Sequence, residues 1–126
     1  MAKMVLSEDC GNSPKNQFVS DMTVALAQGD IKYILGRVAD DFRWEMAGSK
    51  VLQGKAAFSE ELERLKEDPV EQLTILHALT HGKTGAVNGT KLLRSGKKIA
   101  YCLVFEFNGA KAASVQGITA YEVELG

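Results

Sequence analysis

Ile99-Ala100-Tyr101-Cys102-Leu103-Val104-Phe105 is the longest strongly apolar run in the sequence. Arg94-Ser95-Gly96-Lys97 bounds it on one side and Asn108-Gly109 on the other, and its aromatic and branched residues read as a strand. Alternate side chains of a strand point to opposite faces, so Tyr101, Leu103, Phe105 and Phe107 share one face and Ala100, Cys102 and Val104 the other. Both sets are apolar. An antiparallel strand with one wet face alternates apolar and polar residues, so this strand expects cover on both sides. Helices supply one cover. The other is expected from a second copy of the chain, a homodimer built on the outer sheet face through Ala100, Cys102 and Val104.

The period stays at two through the rest of the second half. Leu73 to His81, Thr84 to Leu93, Lys98 to Phe107 and Ala113 to Leu125 read as four strands, separated by Gly82-Lys83, by residues 94–97 and by Asn108-Gly109. Asn-Gly between apolar segments is a hairpin signal, because both residues tolerate positive φ. A shorter strand is expected through Phe42-Arg43-Trp44-Glu45-Met46. The first half is helical. Ser13-Pro14 is an N-cap followed by proline at the first helical position, and Phe18, Met22, Ala25 and Leu26 form one stripe. Gly29 stops that helix, and Asp30 caps a short second one carrying Ile31, Ile34, Leu35 and Val38. A third helix begins near Gly54 and buries Phe58, Leu62 and Leu65, while Glu60, Glu61, Glu63, Arg64 and Lys66 read as a solvated face, and Asp68-Pro69 ends it. Helices first and hairpin-linked strands afterwards imply an α+β domain with a mostly antiparallel sheet. With no repeat and no linker, residues 13–126 form a single domain behind a flexible leader, residues 1–12.

Composition sets outer limits. The chain has 126 residues, 45% of them hydrophobic and 25% charged, which is globular usage and enough length for a core without staples. Fifteen basic and sixteen acidic residues give a net charge of −1, which lacks the electrostatic footprint of a nucleic-acid binder. The longest apolar run is far short of the ~20 residues of a membrane helix. The N-terminus turns acidic at Glu8-Asp9 before any secretory core forms. Cys10 and Cys102 have no metal-ligand spacing and read as a tail thiol and a buried thiol. A cytoplasmic protein with no cofactor and no metal is expected.

The order of these segments resembles a known family. A capped helix, Gln28-Gly29-Asp30-Ile31, Ala39-Asp40-Asp41-Phe42, a strand, Leu52-Gln53-Gly54-Lys55, a helix and a long meander are similar to the nuclear transport factor 2-like superfamily. Its SnoaL-like branch is closest, with Val104-Phe105-Glu106-Phe107-Asn108-Gly109-Ala110-Lys111 as a further match. The resemblance implies a cone: a curved antiparallel sheet wrapped around three N-terminal-half helices, enclosing an apolar pocket and pairing through its outer face. Members include isomerases, cyclases, dehydratases, epoxide hydrolases and non-catalytic binding modules, so the fold leaves the function open. The ketosteroid isomerase pattern of a base, a tyrosine and a protonated aspartate falls on Met46, Met22 and Leu103. Methionine and leucine neither accept a proton nor donate to an enolate, so the resemblance argues against that mechanism.

The remaining candidates each carry two readings. His77 shares a strand face with Leu73, Ile75 and Leu79, as either a pocket acid–base group or a half-buried structural histidine; His81 reads as a solvated strand end. Tyr101 either orients a ligand oxygen or is a core tyrosine with one wet tip. Gly82-Lys83-Thr84 lacks the first glycine of a phosphate loop, and Asp40-Asp41 reads as a strand entry because adjacent side chains point apart. The expectation is a pocket lined by Met22, Trp44, Met46, Leu103 and Phe105 that binds a small apolar or aromatic molecule. Any acid–base chemistry of isomerase, cyclase or hydrolase type is confined to His77 and Tyr101. The alternative is a non-catalytic dimeric interaction module acting through the outer sheet.

Overall fold

Ser13 opens the first helix through its hydroxyl, which accepts the Asn16 N–H at 3.1 Å, with Pro14 following in the first turn. The computed structural model describes residues 3–6, 13–109 and 114–126. Helix α1 (Pro14–Gln28) ends at Gly29, whose φ of 69° is the left-handed conformation of a helix C-cap. Asp30 then accepts the Tyr33 N–H at 3.3 Å and starts α2 (Ile31–Leu35). Helix α3 (Lys55–Leu65) follows Gly54.

Seven strands complete the fold: β1 (Lys3–Leu6), β2 (Val38–Met46), β3 (Lys50–Gln53), β4 (Val70–His81), β5 (Thr84–Leu93), β6 (Lys98–Phe107) and β7 (Val115–Leu125). They form one sheet in the order β1-β4-β5-β6-β7-β2-β3. Pairing is antiparallel except for β1 with β4 and β2 with β7. The architecture is therefore the expected α+β cone, a curved sheet around three helices. Phe58 of α3 is wedged against β2, with ring centroids 4.5 Å from Phe42 and 5.3 Å from Trp44, and this fixes the helix on the sheet.

The curl has a local cause. Ile75 faces Gly89 and His77 faces Asn88, so Leu76 is an extra residue and β4 bends there. At the bend the Thr74 carbonyl crosses so close to Gly89 that a Cβ on residue 89 would overlap it and lie 2.9 Å from the Tyr101 hydroxyl. Tyr101 passes this bare position and donates its hydroxyl proton to the Thr74 carbonyl at 3.0 Å. Glycine at 89 thus lets a β6 side chain tie down a β4 backbone.

Several expectations are corrected. Part of the leader is a strand, because Lys3–Leu6 finds the open edge of β4; residues 7–12, with Cys10, lie outside the described residues. Asn108-Gly109 begins a seven-residue connection rather than a two-residue turn, closed by the Asn108 N–H on the Ser114 carbonyl at 3.2 Å; residues 110–113 lie outside the described residues. A second bulge, between Glu106 and Phe107 of β6 as they face β7, turns Ile118 and Ala120 inward and leaves Tyr121 outside. Helix α3 exposes Leu65 and buries Glu61 instead.

Replacing Gly89 with alanine is expected to cost about 3 kcal/mol or more through overlap with β4. Tyr101→Phe should cost only about 1 kcal/mol, the net worth of one hydrogen bond. Urea unfolding of the two variants checks this ranking.

Candidate functional site

The helices fill only one end of the cone. Toward its narrow end Val19 and Met22 of α1 meet Val87, Phe105, Phe107 and Val115 in a fully packed core. Toward the wide end the concave faces of β2, β4, β5, β6 and β7 leave a cavity of about 320 Å³, closed in by the last turn of α1 and by α3. Trp44, Met46, Leu62, Leu73, Tyr101 and Leu103 supply much of its wall. Its mouth is charged with both signs, with Arg64, Lys66, Lys91 and Lys97 and with Glu67, Asp68 and Glu122 around it. A cavity of this size and lining suits a small organic molecule.

The expected site residues divide into three groups. Trp44, Met46, Leu103 and Tyr101 line the cavity together. Met22 and Phe105 do not: both are fully buried in the core, where the packing of α1 on the sheet leaves no space. His77 is outside altogether. The extra residue Leu76 reverses the alternation of β4, so Ala78 turns inward and His77 turns to the exposed face, where Nδ1 meets Asn88 Oδ1 at 2.9 Å. The shared face expected for His77 with Leu73 and Ile75 is thereby overturned. Tyr101 reaches the cavity, but its proton is committed to the Thr74 carbonyl, so its first role is structural.

Three further features bear on the site. Trp44 is almost completely buried, and its Nε1 has no hydrogen-bond acceptor among the described residues. Such a donor costs about 1–3 kcal/mol when left unpaired. Lys91 and Glu122, absent from the expected set, form an ion pair at 2.7 Å across the concave side of β6. Their signal was strand parity: Lys91 alternates with Val87 and Gly89, and Glu122 with Ile118 and Ala120. Glu61, with a side chain only 6% exposed, is held by Arg64 at 2.6 Å and 3.0 Å and by Lys50 at 3.2 Å. It thereby fixes the guanidinium of Arg64 at the mouth. Asp68 accepts the Ser95 hydroxyl at 2.6 Å and the Ser95 N–H at 2.9 Å, joining the loop after α3 to the β5–β6 turn beside the opening. These bonds, the hydroxyl's first, hold the Asp68 carboxyl below its ordinary range. Among the described residues no group of three or more His, Cys, Asp and Glu side chains is placed to hold a metal ion. No helix among them is long and apolar enough to cross a membrane.

Comparison with known proteins extends the geometry. The model of a family described as a SnoaL-like domain matches residues 19–115. Among solved structures, an M. tuberculosis epoxide hydrolase of the LEH-like kind superposes with a TM-score of 0.72 at 20% identity, covering 85% of this chain and 80% of its own. An NTF2-like protein of unknown function from Cytophaga hutchinsonii superposes at 0.66 and 18% identity, covering 85% of this chain and 97% of its own. A de novo designed protein with a curved β-sheet superposes at 0.70 and 19% identity, covering 86% of each chain. At these identities the likeness is one of fold. Among curated proteins, none matches the sequence.

Glu61 makes the stability of the mouth depend on pH. The Arg64 hydrogen bond, foremost, together with Lys50, holds its carboxyl below the usual range against the opposing effect of burial. A folded-state pKa below the unfolded value adds stability that is complete above about pH 4.5 and is lost as pH falls through the folded pKa. Glu61→Gln is expected to cost about 2 kcal/mol at neutral pH, and the gap to the parent protein should close in acid. Urea unfolding across that range measures it.

Proposed function

The chain belongs to the SnoaL-like domain family, and on that premise we propose that its cone binds a small, largely apolar molecule in the cavity at the wide end. The observation that carries this reading is the cavity itself, about 320 Å³ bounded by Trp44, Met46, Leu62, Leu73 and Leu103. An apolar occupant would remove that wall from water, at roughly 25 cal/mol for each Å² buried. Relatives of the same fold are consistent with small-molecule work, among them the M. tuberculosis epoxide hydrolase. Near-neutral overall charge also suits an apolar ligand better than a polyanion.

The protein carries its own probe. Trp44 is the only tryptophan, so its fluorescence reports on the cavity alone. Titration with small alkylbenzenes should change that emission in a saturable way and raise the melting temperature. Ala27→Phe, which adds bulk to a lining residue on α1, should weaken both effects at least tenfold. Unchanged emission and melting temperature across the series would count against a ligand role.

The outer sheet face supports a second reading, a homodimer. Tyr121 and Val123 of β7 are 51% and 64% exposed, and Leu79 of β4 is 57% exposed. Between them lie the small or half-buried Ala86, Ala100, Cys102 and Val104. Apolar groups of this kind gathered on one face fit an interface with a second copy. Light scattering should give twice the mass of the 13.7 kDa chain, and Cys102→Arg should reduce it to the mass of one chain. A single-chain mass for the parent protein at micromolar concentration would rule the dimer out.

A further inference from the structure

The deeper concave face of β5, β6 and β7 is apolar apart from the Tyr101 hydroxyl, which is bonded to the Thr74 carbonyl. Its deeper positions are Val87 and Gly89 on β5, Leu103 and Phe105 on β6, and Ile118 and Ala120 on β7. One step nearer the mouth, β5 presents Lys91 and β7 presents Glu122. Lys91 lies opposite Ile99, and Glu122 opposite Tyr101, so the pair reaches across the whole width of β6 to meet at 2.7 Å. Both side chains are about three-quarters covered, at 23% and 24% exposure.

Stability gives little reason for this arrangement. A partly wet ion pair is worth about 0–1 kcal/mol, and apolar residues at the same positions would extend the wall. What the pair does supply is a donor and an acceptor side by side at the edge of an apolar chamber. Ammonium N–H groups beside a carboxylate match a ligand group that also holds an acceptor next to a donor. A primary amide or a hydroxy-ketone has that pattern. A carboxylate lacks that match: at the pair it gains Lys91 but meets Glu122, while of the other cations around the mouth Arg64 is held by Glu61, Lys66 by Glu63, and Lys97 stands beside Asp68.

Building on the apolar-ligand reading above, we propose that Lys91 and Glu122 form the polar end of the site and select a neutral ligand head that carries adjacent donor and acceptor atoms. The apolar body of the ligand lies inward against Trp44, Met46 and Leu103, and the head lies at the mouth between the two charges. Lys91 donates to the acceptor of the head, and Glu122 accepts from its donor. Discrimination against a carboxylate comes from Glu122, and discrimination against a plain hydrocarbon comes from both residues.

Three probes with one body separate these effects: butylbenzene, para-butylbenzamide and para-butylbenzoate, each titrated against Trp44 fluorescence. In the parent protein the amide should bind about tenfold or more tighter than either of the others. Lys91→Met with Glu122→Met should erase the advantage of the amide over butylbenzene while leaving butylbenzene binding in place. Glu122→Gln, a near-isosteric change, should raise benzoate affinity about tenfold, because the repelling charge is gone and Lys91 remains. Butylbenzene binding as tightly as the amide in the parent protein would overturn the role of the pair and leave the cavity reading standing. An amide preference that persists in the double variant, or benzoate affinity unmoved by Glu122→Gln, would also overturn it. Failure of all three probes to bind the parent protein would overturn both readings together.

Discussion

The contact on which the rest of the structure depends is the approach of the β4 backbone to Gly89, locked by the Tyr101 hydroxyl on the Thr74 carbonyl. A sheet of seven strands with a regular ladder would twist without closing on itself. The extra residue at Leu76 bends β4, and the missing side chain at 89 lets the bent strand settle against its neighbour. A phenol from the next strand but one then fixes the bend. The cone follows from this, and so does the space inside it. Helix α1 packs Val19 and Met22 into one end of the cone, while its last turn and α3 only border the cavity at the other.

The same bend distributes chemistry. It turns His77 out of the cone and Ala78 into it, so the histidine with the most suggestive sequence context faces away from the cavity. It also engages the Tyr101 hydroxyl in a structural bond. What remains at the mouth is a set of charges held by their own partners: Arg64 by Glu61, Lys91 by Glu122, and the loop around Ser95 by Asp68. The cavity is thus an apolar chamber with an ordered polar rim. That division of labour suits recognition of a molecule with one greasy end and one polar end. The curved-sheet design of similar fold is a reminder that the cone alone specifies no activity.

Much of the architecture was legible in the sequence because local signals agreed with the global fold. Ser13-Pro14, Gly29 and Asp30 mark helix ends by chemistry that acts within one turn, and they do so here. The two-sided apolar pattern of residues 99–105 located the centre of the sheet. Trp44, Met46, Tyr101 and Leu103 were assigned to the cavity from strand parity and family resemblance, and they line it. The failures share a cause. Parity is reliable only until a strand gains a residue, and Leu73-Thr74-Ile75-Leu76-His77-Ala78-Leu79 is apolar in either phase, so nothing in it announces a bulge. Glu122 was missed for the complementary reason, because the phase of β7 is set by a second bulge opposite Glu106 and Phe107, and Lys91, in phase with Val87 and Gly89, gains meaning only once Glu122 faces it. Glu61 sits among acidic neighbours that read as solvent-facing, yet it lies one helical turn from Phe58 and beside Leu62, at the border of the buried stripe. Its partner Lys50 comes from a strand too short to stand out in the sequence.

The central claim is that the curl leaves a chamber beside α3 and the last turn of α1 and that this chamber takes an apolar ligand. Nuclear magnetic resonance tests it most directly, through the indole Nε1–H of Trp44 and the methyl groups of Met22, Met46, Leu103 and Leu79 during titration with butylbenzene. The account predicts saturable shifts at Trp44, Met46 and Leu103, with Met22 in the narrow core and Leu79 on the outer face unmoved. Shifts confined to Leu79 and its neighbours, or none at Trp44, would contradict it.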